Sequence, residues 1–139
     1  MNPVETVRAF WEHMQRRDWH GVRATLAEDV VVEWPVTNEI FVGVDHVVAV
    51  NAEYPEGWEI RVVRLVGSGS LVVAEVEVPQ ADVGVFRTAA FMEVVDGRIT
   101  RSVEYWVHLG GEEPPAWRRS LAERFSTGSA GSGDPAIDA

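Results

Sequence analysis

Near Trp58 the hydrophobic rhythm of the chain changes, and that change limits the folds open to it. Before it, apolar residues recur at spacings of three and four. After it they alternate in four runs, Glu59 to Val66, Leu71 to Val78, Val83 to Val95 and Ile99 to His108. The breaks between them are short: Gly67, Ser68 and Gly69, then Pro79, then Asp96 and Gly97. Runs of this length joined by such tight turns pair with their neighbours in sequence, so an antiparallel meander is expected.

The first half supplies helices. Asn2 can cap a helix with Pro3 in its first turn and Glu5 three residues on, and Val4, Val7, Phe10, Trp11 and Met14 form its apolar stripe. Asp18 can cap a second helix carrying Trp19, Val22 and Leu26 and ending near Glu28 and Asp29. Val30 to Trp34 reads as a short strand broken by Pro35. Gly43 opens a third helix with the stripe Val44, Val47, Val48 and Asn51, closed by Pro55. Asn51 therefore stands where an apolar residue is expected. After Gly110, Gly111, Pro114 and Pro115, a last short helix bearing Trp117, Leu121 and Phe125 is expected across the sheet or over a pocket mouth. Residues 126–139 are Gly, Ser, Pro and acid and are expected to form a disordered tail.

Residues 1–125 thus read as one α+β domain in the order α-α-β-α-β-β-β-β. A cone-shaped, curved antiparallel sheet would wrap the N-terminal helices and leave an internal cavity. A chain of 139 residues has room for one such core. Its net charge of −10 disfavours nucleic acid and anionic membrane surfaces as partners. The absence of cysteine excludes thiolate chemistry, and because all twelve basic residues are arginine, Schiff-base chemistry is excluded too. No apolar run approaches the roughly 20 residues of a membrane span, and no signal-peptide pattern opens the sequence, so a cytoplasmic protein is expected.

The last run carries the chemistry. Alternation puts Ile99, Val103, Tyr105 and Val107 on one face and Ser102, Glu104, Trp106 and His108 on the other. A carboxylate sharing a face with an indole is poorly solvated, which raises its proton affinity and suits it to acid or base work near neutral pH. The opposite face, with Val73, Phe91, Val103 and Tyr105, is apolar enough to predict a homodimer through the outer sheet face. Arg87 is expected on that outer face, and Glu33 and Glu39 in solvent. The four histidines are scattered, so neither a metal nor a cofactor is expected.

The order of elements resembles the nuclear transport factor 2-like superfamily, most closely its SnoaL-like proteins. The string VVVEWP at Val30 to Pro35, Gly43 at the start of the third helix and the closing DGRI…EYW carry the likeness. The superfamily includes ketosteroid isomerases, polyketide cyclases and limonene epoxide hydrolases, so the fold does not name the reaction. The resemblance implies that Phe10, Trp34, Asn51, Ala90, Met92, Ser102, Glu104 and Trp106 face the cavity. It also places the isomerase's base on Trp34 and its two oxyanion donors on Phe10 and near Ala90, so none of the three is present. The arginine and aspartate that the hydrolase needs fall on Glu75 and Glu77, whose parity points away from the cavity.

The expected function is cofactor-free general acid/base chemistry on a small, largely apolar organic ligand: isomerisation, cyclisation, dehydration or hydration. Glu104 is the candidate acid or base and Asn51 orients the substrate oxygen. Phe10, Trp34, Met92, Ser102, Trp106 and His108 are the candidate substrate-binding residues. The alternative is a non-catalytic binding or dimeric interaction domain. The partner of Glu104 discriminates between the two, since an arginine would make it structural.

Overall fold

Asn2 begins the first helix with reciprocal bonds. In the computed structural model, which describes residues 1–125, Glu5 N–H donates to Asn2 Oδ1 and Asn2 N–H to Glu5 Oε1, each at 2.9 Å. This capping box satisfies two backbone donors that the first turn would leave orphaned. Helix α1 (Pro3–Gln15) then buries Val7, Phe10, Trp11 and Met14 on one side. Asp18 Oδ1 accepts from Gly21 N–H at 2.9 Å and starts α2 (Trp19–Ala24). The expected continuation of α2 through Leu26 to Asp29 does not occur. Strand β1 (Leu26–Trp34) begins there, and Leu26 is buried as a strand residue paired with Ile99. The β-branched run that follows explains the early switch, because Val30, Val31 and Val32 favour a pleated backbone over another helical turn.

Pro35 ends β1 in a 3-10 turn, Pro35–Thr37, and Asn38 at φ 61° reverses the chain. Strand β2 (Glu39–Val42) then pairs antiparallel with β1, Trp34 opposite Glu39. The sequence reading missed this strand. It is a short edge strand whose Ile40 and Val42 stay exposed, with only Phe41 packed inward. Helix α3 (Val44–Ala52) follows Gly43, whose φ of 90° suits glycine. The meander is β3 (Arg61–Ser68), β4 (Leu71–Gln80), β5 (Gly84–Val95) and β6 (Arg98–His108). The sheet order is β2-β1-β6-β5-β4-β3, and the β1–β6 pair is parallel, so the sheet is mixed rather than wholly antiparallel.

Pro79 lies inside β4 rather than in a turn. Its carbonyl accepts from Glu59 N–H at 3.0 Å, so its missing N–H faces the β3 side, beyond the point where β3 begins. No β4–β5 ladder bond is lost. The expected last helix is a 3-10 segment, Ala116–Leu121, and Trp117, Leu121 and Phe125 are 66–79% exposed instead of covering the sheet or a pocket. The tail expected over residues 126–139 lies outside the described residues. Among the described residues no helix is long and apolar enough to cross a membrane.

Two bulges set which side chains face inward. Val62 pairs with Val76 and Arg64 with Glu75, leaving Val63 as an extra residue, so Val62 and Leu65 both pack on the core. Glu93 pairs with Arg101 and Val94 with Ile99, so Thr100 is the extra residue in β6. Ile99, expected on the outer face by unbroken alternation, is therefore fully buried with Val94. Below the bulge the count resumes, and Ser102, Glu104 and Trp106 face inward as expected. The bulges also add local twist, helping the sheet curve around the helices.

Ile99→Ala is expected to destabilise the protein by about 2–5 kcal/mol, whereas Val107→Ala, on an exposed outer-face position, should stay within about 0.5 kcal/mol. Urea unfolding of the two variants checks this. Equal effects would mean that the alternation runs unbroken through Thr100.

Candidate active site

The inner face of β6 meets the ends of β1, β4 and β5 around a cavity of about 570 Å³. Its deepest polar group is Glu104, whose register partner on β5 is Ala90. Three protein donors hold the carboxylate. Trp34 Nε1–H donates to Oε1 at 3.1 Å, Trp106 Nε1–H to the same oxygen at 3.0 Å, and Ser102 Oγ–H to Oε2 at 2.7 Å. The residue is 5% exposed, and among the described residues no guanidinium or imidazole pairs with it. Loss of solvation pushes its pKa above the ordinary carboxylate value, and the three donors oppose the shift without cancelling it.

The donors also fix where a proton can sit. An indole nitrogen can only donate, so Oε1, with two indole N–H groups on it, keeps its lone pairs as acceptors. The proton therefore belongs on Oε2. There the Ser102 hydroxyl can donate to the ionised acid or rotate to accept from the neutral one. A carboxylate has about four acceptor positions. Three are filled, and the fourth, on Oε2, is free.

Each donor has a structural reason for its place. Trp34 is the last residue of β1, just before Pro35 breaks the strand, and its ring is fixed by an edge contact with Phe41 at 4.7 Å between centroids. Ser102 and Trp106 are two residues either side of Glu104, so strand periodicity alone brings them to the same face. At the mouth, His108 stacks on Phe86 at 4.6 Å and 27°. Gly84, at φ 145°, leaves room for that ring, since a Cβ there would collide with His108 Nε2. The other titratable groups around the cavity are Glu39, Tyr54 and His108, all exposed at the mouth.

Of the residues expected at the site, Trp34, Asn51, Glu104, Trp106 and His108 line the cavity. Phe10 and Met92 do not. Both are packed in the core, Phe10 edge-on against Trp11. Ser102 is likewise fully buried and acts on Glu104 rather than on the cavity space. Asn51 Nδ2 donates to Val47 O at 2.8 Å, one turn back along α3, so one amide N–H is committed to the helix while the other N–H and the oxygen are left. The expectation that Glu33 is solvated fails: it is half-buried and paired with Arg101. Glu75 and Glu77 lie on the outer face with Arg64 and Arg87, at 2.7 and 2.6 Å.

Sequence reading missed Trp11, Tyr54, Trp58, Gln80 and Phe86 as cavity residues. Trp11 and Phe86 carried a signal in the stripe and alternation patterns. Trp58 carried none, because it lies between elements. It is placed by Arg17, whose guanidinium sits 3.4 Å from the ring centroid, donates to the Trp58 carbonyl and pairs with Glu56 at 2.9 Å. Among the described residues no group of three or more His, Asp or Glu side chains could hold a metal ion.

The profile of the SnoaL-like domain family matches residues 7–102. A candidate ketosteroid isomerase from Kribbella flavida DSM 17836 superposes with a TM-score of 0.80 at 33% identity, covering 88% of each chain. An LEH-like epoxide hydrolase from M. tuberculosis gives 0.66 at 25% identity, covering 76% of this chain and 82% of its own. A candidate polyketide cyclase from Pseudomonas putida KT2440 gives 0.62 at 22% identity, covering 77% and 92%, a likeness of fold. No curated protein matches.

A carboxyl whose native pKa is raised favours the folded state below the unfolded value and loses that advantage as pH rises towards the native one. The Glu104→Gln variant keeps an oxygen for the two indoles and an N–H₂ for Ser102, without the ionisation. Its stability relative to the parent should therefore grow as pH rises above about 4.5, measured by denaturant titration across pH. A flat difference would mean that Glu104 titrates normally.

Proposed function

The chain belongs to the SnoaL-like domain family, and from that premise we propose that it is a small-molecule enzyme in which Glu104 exchanges a proton with a largely apolar substrate, without a cofactor. One observation carries this reading: a carboxylate buried in a cavity wall, with no cation beside it and one acceptor position open among the described residues. A structural carboxylate in so dry a place would be expected to take an arginine. Here Arg64, Arg87 and Arg101 are all spent on outer-face acids.

In the neutral form the proton on Oε2 can pass to a substrate oxygen or carbon in the cavity. In the ionised form the same oxygen can accept one. The indole pair on Oε1 stabilises the charge that develops in either direction, and Ser102 holds Oε2 in place. Isomerisation, aldol-type cyclisation, dehydration and hydration all need only such a group. Trp34 and Trp106 serve twice, as walls for the apolar body and as donors to the acid.

A second reading, ligand binding without turnover, is favoured by Phe10 and Ala90, which stand where the resemblance places the isomerase's two oxyanion donors. The two readings separate in one experiment. In a screen of apolar alcohols, enones and epoxides, the parent should turn over at least one compound, and Glu104→Gln should lower the rate by about 10²–10⁴ with an unchanged or higher Tm. Turnover unaffected by the substitution would refute the assignment, and native mass spectrometry showing a retained ligand without any turnover would favour the binding reading.

We also propose that a second copy covers the outer sheet face. Phe91 and Tyr105 sit on the two central strands, in edge contact at 6.1 Å, yet are 41% and 45% exposed, with Val107 beside them. Central strands with bare aromatics are characteristic of an interface. Sedimentation velocity should give a dimer for the parent and a shift to monomer for Tyr105→Arg, whereas a monomeric parent would end this proposal.

A further inference from the structure

The polar atoms of the cavity are unevenly divided between donors and acceptors. Gln80, 8% exposed at the end of β4, donates through Nε2 to Pro55 O at 3.0 Å and Glu56 O at 3.4 Å. Both contacts commit its N–H₂ to the loop that carries Trp58. Among the described residues no group donates to its Oε1, although the side chain lines the cavity. Asn51 repeats the arrangement in part, with one amide N–H on Val47 O and its other N–H and its oxygen unclaimed. When ionised, Glu104 adds the open position on Oε2. Among the described residues, the buried donors other than the second Asn51 N–H are used up or out of reach. Trp34 and Trp106 N–H are bonded to Glu104, while the N–H groups of Trp11 and Trp58 are sealed in the wall without a partner. At the solvated mouth Thr37, Tyr54 and His108 offer groups that can take either role.

A ligand that fills the cavity displaces the water these acceptors could bond, and a ligand oxygen that only accepts cannot replace it. From this, resting on the reading of the cavity as the ligand site, we propose that the ligand is an apolar ring compound bearing a hydroxyl, and that Gln80 Oε1 accepts from that hydroxyl and determines specificity. Its place in the sheet sets it well apart from the acid. Gln80 pairs with Gly84 and Glu104 with Ala90, six residues apart along β5, or about 20 Å of strand before curvature shortens it. Trp58 and Phe86 lie on the wall nearer Gln80, Trp106 beside Glu104, so the apolar body spans from one polar end to the other. The hydroxyl read by Gln80 anchors the ligand, and the opposite end meets the proton-exchanging carboxyl.

The test uses 4-phenylphenol and 4-methoxybiphenyl, which share a body and an oxygen and differ in the O–H. Binding to the full chain is followed by quenching of tryptophan fluorescence, since four indoles line the cavity. The parent should bind 4-phenylphenol about three- to tenfold more tightly, the contribution of one neutral hydrogen bond. Gln80→Met, similar in shape but without the amide, should lose that preference while binding 4-methoxybiphenyl as before. A parent without preference, or binding neither probe, overturns the proposal. So does a variant that keeps the preference. A variant that loses affinity for both probes equally would assign Gln80 to holding the loop, also against it. Because the readout is binding, the outcome is independent of whether Glu104 exchanges protons, which its pH-linked stability and the turnover screen test separately.

Discussion

A carboxylate removed from water must be compensated by something, and around Glu104 that something is two indoles and a hydroxyl rather than a cation. Hydrogen bonds to a charged group contribute about 1.5–3 kcal/mol each, enough to keep the acid from being an outright defect but not enough to restore its solution acidity. A guanidinium in the same place would have pinned the group in its ionised form. The donors present hold its geometry while leaving both protonation states within reach. The need for these donors determines much else. Trp34 must end β1 where it does, the β1–β6 pair must run parallel in its observed register, and Ser102 and Trp106 must flank the acid two residues away on each side.

The rest of the scaffold supports that wall. The basic residues nearest the sheet are drawn to its outer surface by Glu33, Glu75 and Glu77, which keeps cations out of the hollow. On the far side of the cavity, Arg17 clamps the loop through Glu56, the Trp58 carbonyl and the Trp58 ring, while Gln80 holds the same loop through Pro55 and Glu56. A segment without regular structure thereby becomes as definite a wall as a strand.

Much of this was legible in the residues. The capping box, the apolar stripe of α1, the glycine before α3 and the alternation of β6 each follow from local rules; the alternation put Glu104 and Trp106 on the inner face, and the family resemblance put Trp34 there. What was not legible depends on partners distant in sequence. Leu26 reads as helical until its pairing with Ile99 is known. The edge strand β2 is held almost entirely by backbone bonds to β1, which leave no mark on side-chain periodicity. Phe10 and Met92 match the family's cavity positions, but here they are covered by core packing. Gln80 looked like a turn residue because Pro79 precedes it, and only the orientation of the missing N–H reveals the strand.

The extra residue at Thr100 divides β6 into two independently phased halves. Upstream, Ile99 belongs to the core; downstream, Glu104, Trp106 and His108 face the hollow. A length change in the neighbouring Asp96–Gly97 hairpin can end at that break instead of rotating the whole strand. The hairpin can thus change length while Glu104 keeps its heading.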